Sequence, residues 1–174
     1  MIQSTHDAAQ TCAVKAINRM QTMRNWLIGY YIVEFERHGK DRAEYGSQLL
    51  KKLEERVNRK GLNVTLFKNA RNFYLLYPQM EDNFVFLNVP LSNCEGIPKS
   101  PTVLDQLKTS GKLIIAKLSF SHIVEIMAVD DSLARYFYEQ ECIKCTWSVR
   151  ELRRQISTNL YVRAGISSNP EKML

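Results

Sequence analysis

From residue 5 to residue 37 the chain carries no proline, and apolar side chains return at Ala9, Ala13, Ala16, Ile17, Met20, Met23, Leu27, Tyr30, Tyr31 and Val33. That spacing follows the 3.6-residue turn of an α-helix rather than the two-residue repeat of a strand. The stretch therefore predicts one long helix, with Gly29 as the place where it would bend and His38-Gly39-Lys40 as its stop. A chain that opens this way is expected to be mainly α.

Composition agrees with a folded domain: of 174 residues, 45% are hydrophobic and 24% charged, with only seven glycines and five prolines. No run approaches the roughly 20 apolar residues that a membrane span requires. The first thirty residues mix His6, Asp7, Lys15, Arg19 and Arg24 with no apolar stretch long enough for a secretory signal. The expected location is the cytoplasm, where four sparse cysteines stay reduced.

The formal charge of +6 is unevenly spread. Residues 44–77 hold seven bases and three acids, and residues 142–163 hold five and one, whereas residues 78–141 between them hold five and nine. Two basic segments flanking an acidic one suggest a nucleic-acid face on part of the surface.

After the first helix, a second is predicted from Gly46-Ser47, with Ser47 as cap, Leu49, Leu50, Leu53 and Val57 as its stripe, and Gly61 as its end. A third runs from about Thr65 to Tyr77 on Leu66, Phe67, Ala70, Phe73, Tyr74 and Tyr77, and Pro78 closes it. It carries Lys68, Asn69, Arg71 and Asn72 off the apolar stripe. Two helices joined by a short glycine-containing turn fit a helix-turn-helix unit, though taken alone they more often form a plain helical hairpin, which is how most bundles use short connections.

Residues 79–112 form a loop-rich insertion with Pro90, Pro98 and Pro101, where the run Phe84-Val85-Phe86-Leu87 can pair with Leu113-Ile114-Ile115 in a small β-hairpin. Helical signals resume over residues 113–163 and leave a tail at 164–174. Ser121 is a candidate cap for residues 123–128, and Asp130-Asp131-Ser132 starts the next helix, with Leu133, Tyr136, Phe137 and Ile143 as its stripe. Ser148-Val-Arg-Glu151 has the spacing of a capping box, with Trp147 placed to staple Leu152. The helix it opens presents Arg150, Arg153 and Arg154 near its start and turns Leu152, Ile156 and Leu160 inward.

Three arginines in five residues can offer guanidinium forks to phosphates. They can also form a solvated face, or pair with acids of the middle segment such as Glu139 and Glu141.

Chemistry-bearing motifs are scarce. Cys142 and Cys145 have the spacing of half a zinc knuckle or a redox dithiol, but no second ligand pair accompanies them and the preceding residues read as helix, not strand. There is no glycine-rich phosphate loop, no Gly-x-Ser-x-Gly elbow and no His-Glu-x-x-His pair. Ser121 beside His122 is explained by a capping serine and a half-buried histidine. No catalytic residue, metal site or cofactor is expected.

Tyr45-Gly46 through Leu49, the block Phe73-Tyr74-Leu75-Leu76-Tyr77-Pro78, Leu118-Ser-Phe-Ser-His122 and above all Trp147-Ser-Val-Arg-Glu-Leu-Arg-Arg-Gln-Ile156 resemble the N-terminal domain of YhcG-like bacterial proteins. Trp26, Ile28-Gly29 and Ile32-Val-Glu34 are similar to that family's first helix, and the resemblance covers most of residues 9–163. It implies a domain of unknown function, regarded as winged-helix-like or helix-turn-helix and DNA-binding, that is usually followed by a PD-(D/E)XK nuclease domain. This chain stops at Leu174 and shows no Pro-Asp with a following Glu/Asp-x-Lys, so the nuclease activity is not expected of it. Ser119, His122 and Ser148-Val-Arg-Glu151 also resemble, more locally, the DNA-binding region of ParB-type partition proteins.

The expectation is thus a DNA-targeting module that binds duplex DNA. Lys68, Arg71, Arg150, Arg153 and Arg154 would be its phosphate contacts, Arg42, Lys51 and Lys52 would support them, and Asn69 or Asn72 would read a base edge. The alternative is an interaction module, in which the first helix and the aromatic rows Tyr30-Tyr31 and Phe73-Tyr74-Tyr77 bury against a second copy or a nuclease partner.

Overall fold

The computed structural model describes residues 1–38, 46–83 and 109–165. Among them the chain is mainly helical: α1 (Ile2–His38), α2 (Gly46–Val57), α3 (Val64–Leu76), a 3-10 segment (Pro78–Asn83), α4 (Gly111–Lys117), α5 (Phe120–Met127), α6 (Ser132–Cys145), α7 (Val149–Ser157) and α8 (Leu160–Arg163).

Helix α1 is continuous through Gly29. The glycine serves close approach instead of a bend, because α3 crosses at this point. A Cβ on Gly29 would lie 2.0 Å from the Ala70 carbonyl oxygen and 2.6 Å from its carbon. With Ala70 fully buried opposite, the two backbones come together where neither bears a large side chain. Around this crossing Trp26, Tyr30 and Tyr74 stack edge to face, Trp26 and Tyr74 at 5.1 Å and Tyr30 and Tyr74 at 5.6 Å between ring centres. The aromatic rows assigned to a partner in the interaction reading are therefore core. Tyr31 is the exception and remains exposed.

One large apolar cluster joins α1 and α3 to the C-terminal helices through Phe73, Tyr77, Ile114, Ile123, Ile126, Phe137, Leu152 and Tyr161. A smaller one seats α2 through Leu50 against Ile32 and Phe67. Polar bonds cross the larger cluster as well. The Trp26 indole N–H donates to the Tyr77 carbonyl at 2.9 Å, and the Tyr77 hydroxyl donates to Glu139 Oε2 at 2.7 Å. Burial raises the Glu139 carboxyl above its ordinary range and raises the Tyr77 phenol well above its own.

Several local expectations change. Leu113-Ile114-Ile115 is helical and belongs to α4, so it forms no strand. Ser110 caps that helix, and only Ile114 of the three residues is fully buried, as a helical period demands. Its supposed partner, residues 84–87, lies outside the described residues, as do Gly39, the tail from residue 166 and the side chain of Ser47.

Helix α2 stops at Val57, before Gly61, because Asn58 takes the left-handed conformation at φ 40° and its N–H returns to the Glu54 carbonyl. Asn63 caps α3 through a 2.8 Å bond from the Leu66 amide, and the Glu54 carboxylate of α2 takes the Val64 amide at 3.2 Å. Helix α5 is capped at Ser119, not Ser121. The box at Ser148 is half formed: its hydroxyl accepts from the Glu151 amide, but the Glu151 side chain turns forward to Arg154 and Gln155, one turn ahead.

Candidate nucleic-acid interface

Helix α3 buries Phe67, Ala70, Phe73 and Tyr74, which leaves its four polar candidates on three different sides. Lys68 and Asn72, four residues apart, are exposed with Thr65 and Leu75 on one stripe. Arg71 turns to α1, where its Nε lies 2.8 Å and 3.1 Å from the two Glu36 carboxylate oxygens. Asn69 faces the C-terminal helices.

The C-terminal basic helix is positioned by a histidine. A carbonyl oxygen only accepts, so the 3.0 Å contact from His122 Nε2 to the Trp147 carbonyl places the ring proton on Nε2. The bare Nδ1 then accepts from the Ser119 amide at 3.2 Å and the Ser119 hydroxyl at 2.8 Å. One neutral imidazole thus ties the start of α5 to the turn before α7, where Thr146 is left-handed at φ 49°.

Burial lowers the His122 pKa from its ordinary value, so the fold favours the uncharged ring. The unfolded chain binds the extra proton first as the medium becomes acidic. The contribution of His122 is fully present above the unfolded value near 6.5 and is lost as pH falls through the lower folded value. Urea unfolding at pH 7.5 and 5.5 should show a larger acid loss of stability for the native chain than for His122→Gln. Equal losses in the two proteins would contradict this assignment.

Between α3 and the α5–α7 pair lies an open groove of about 540 Å³. Its walls are Asn63, Leu66 and Asn69 on one side, and Phe120, Ser121, Glu125 and Arg153 on the other. Arg153 spans to Glu125 through two bonds, Nε to Oε2 at 3.2 Å and Nη2 to Oε1 at 2.5 Å, and these hydrogen bonds, with its charge, hold the Glu125 carboxyl below the usual range. Arg154 pairs with Glu151 at 2.6 Å. The acids that meet these arginines are therefore Glu125 and Glu151. Glu139 is buried on Tyr77, and Glu141 stands 3.8 Å from Lys144.

Lys68 and Arg150, each adjacent in sequence to a residue lining this groove, are exposed and have no acidic partner among the described residues. Lys51 and Lys52 are exposed on α2; Lys52 lines a separate apolar groove of about 700 Å³ between α1 and α2. Arg42 lies outside the described residues. Sequence reasoning overlooked Asn63, Ser121 and Glu125 as members of the groove. The Asn63 position, two residues past Gly61 and opening an apolar run, carried a capping signal that could have marked it.

Cys142 is buried, with its thiol pushed up to about 11 mainly by burial, whereas Cys145 is exposed. Among the described residues no group of three or more His, Cys, Asp or Glu side chains is placed to hold a metal, and no helix is long and apolar enough to cross a membrane.

A mainly helical domain, with an open groove between α3 and the α5–α7 pair that Asn69, Glu125 and Arg153 line, defines the class. The chain belongs to the family of DUF1016 N-terminal domains, whose pattern matches residues 1–163. It is 35% identical over 176 residues to the Escherichia coli (strain K12) protein named "Putative nuclease YhcG", covering 97% of this chain and 46% of that protein. The chain thus spans about half the length of the curated relative it matches. No solved structure is significantly similar to it.

Proposed function

We propose that this domain is a DNA-targeting module of a nuclease-associated protein, and that duplex DNA docks along the groove between α3 and α5–α7. The observation that carries this reading is convergence. Asn69 and Arg153, from two basic segments far apart in sequence, line the same open groove, with Lys68 and Arg150 beside them in the chain. Lys68 and Arg150, without an acidic partner among the described residues, supply the first phosphate contacts. Arg153 joins by exchanging Glu125 for a phosphate, and Asn69 reads a base edge in this proposal. Arg71, held by Glu36, contributes to packing instead.

Binding of this kind follows counterion release, with log K falling against log salt by about 0.9 per phosphate contact. The Lys68→Ala/Arg150→Ala double variant is expected to bind duplex DNA more weakly and to reduce that slope by about 2. Glu125→Gln is expected to do the opposite, releasing Arg153 and steepening the slope by about 1. Fluorescence anisotropy across a salt series measures both. No binding to duplex at low ionic strength, or identical slopes in all three proteins, would defeat the proposal.

A further inference from the structure

Among the described residues nothing packs against the first half of α1. Residues 2–17 are all exposed, including Ile2 at 90%, Val14 at 57% and Ile17 at 55%, and Met20 beyond them is 53% exposed. At 1.5 Å per residue this arm reaches roughly 30 Å from the first buried positions, Thr22 and Met23. A helix of that length is marginal in water without packing on one face, and no ion pair within the arm supports it among the described residues.

One stripe on the arm has the spacing of a coiled-coil seam. Ile2, His6, Ala9, Ala13, Ala16 and Met20 alternate steps of four and three, and the next steps, Met23 and Leu27, enter the core of the domain. The stripe reads similarly in both directions. Laid against a reversed copy of itself, Ile2 meets Met20, His6 meets Ala16, and Ala9 meets Ala13, so large residues close the ends and small ones allow close approach at the centre. A two-fold pair requires such a self-matching surface.

Charge selects the same orientation. The positions flanking the seam, Gln3, Thr5, Gln10, Cys12 and Ile17, are uncharged, and Arg19 is the sole exception. In a parallel pair Arg19 would flank Arg24 of the other copy. In the reversed pair it flanks Thr5.

We propose that residues 2–20 of α1 pair antiparallel with the same segment of a second copy, making the domain a dimer joined through its N-terminal arms. This goes beyond the DNA reading, because the arm and the groove share no residue. The flanking position Cys12 falls beside its own counterpart at the centre of the reversed pair, whereas a parallel pair sets the two on opposite sides of the seam.

Sedimentation equilibrium of the full chain at micromolar concentration should return twice the 20.2 kDa chain mass. Ala13→Glu places an unpaired carboxylate in the seam and is expected to raise the dissociation constant about a hundredfold, while the substituted site itself is exposed and should leave the core intact. A short bismaleimide should cross-link native dimers, and Cys12→Ser, but not Cys145→Ser, should abolish the product. A monomeric native chain, or a dimer unaffected by Ala13→Glu, would overturn the pairing. A dimer sensitive to Ala13→Glu that yields no Cys12 product would overturn its antiparallel orientation.

Discussion

Gly29→Ala is expected to destabilise the protein by about 3 kcal/mol or more, although the substitution is favourable in an isolated helix. Two effects oppose each other. Alanine gains roughly 1 kcal/mol over glycine in a helix interior. Its methyl group, however, would stand 2.0 Å from the Ala70 carbonyl oxygen and 3.0 Å from the Tyr74 Cβ. The obstacle is backbone, which cannot rotate aside as a side chain can. The helices must separate, and the edge-to-face contacts of Trp26 and Tyr30 with Tyr74 would loosen with them. Forcing extra volume into a packed core usually costs about 1–3 kcal/mol, with backbone collisions at the upper end or above. Urea unfolding of the two proteins decides the matter. A variant more stable than the native chain would mean that α1 and α3 do not cross at Gly29.

Trp26→Ala is expected to cost at least about 4 kcal/mol. Trp26 is fully buried at the centre of the larger cluster, and removing a large aromatic from such a site typically costs about 3–5 kcal/mol through lost contacts and the cavity left behind. The indole N–H also satisfies the Tyr77 carbonyl at 2.9 Å, at the end of α3 and just before Pro78. Trp26→Phe separates the two contributions. It retains much of the apolar volume but removes the donor, leaving the Tyr77 carbonyl only the Met80 amide at 3.2 Å, and losing one such bond costs about 0.5–1.5 kcal/mol. The ordering expected in chemical denaturation is native, then phenylalanine, then alanine. If Trp26→Phe is as stable as the native chain, the indole bond contributes nothing.

Both predictions concern a crossing that periodicity could not reveal. Helix α1 was legible because its apolar residues recur with the helical period from Ala9 to Val33, and α3 because Pro78 and the row Phe67, Ala70, Phe73, Tyr74 bound it tightly. Gly29 looked like a bend because glycine in a helix signals weakness when its surroundings are unknown. Its meaning came from Ala70, 41 positions away in the chain and opposite it in space. Leu113-Ile114-Ile115 was misread for a related reason: three adjacent apolar residues fit a strand or a buried helix equally well. The Ser110 cap and the burial of Ile114 decided between them.

The candidate groove was legible in part. Charge counting found both basic segments, and Asn69 and Arg153 line one surface. It could not tell free bases from paired ones, since Glu36 and Glu125 lie 35 and 28 residues from Arg71 and Arg153.

Sequence by itself determined that this chain is mainly helical, where α1 and α3 run, where α6 and α7 begin, and which family it belongs to, because caps, helical period and motif blocks are local properties. Tertiary structure alone decided which aromatics are core, which arginines already hold an acid, and that the apolar stripe of α1 is buried at one end and bare at the other. Those properties depend on what stands opposite each side chain, and that is set by packing between residues far apart in the chain.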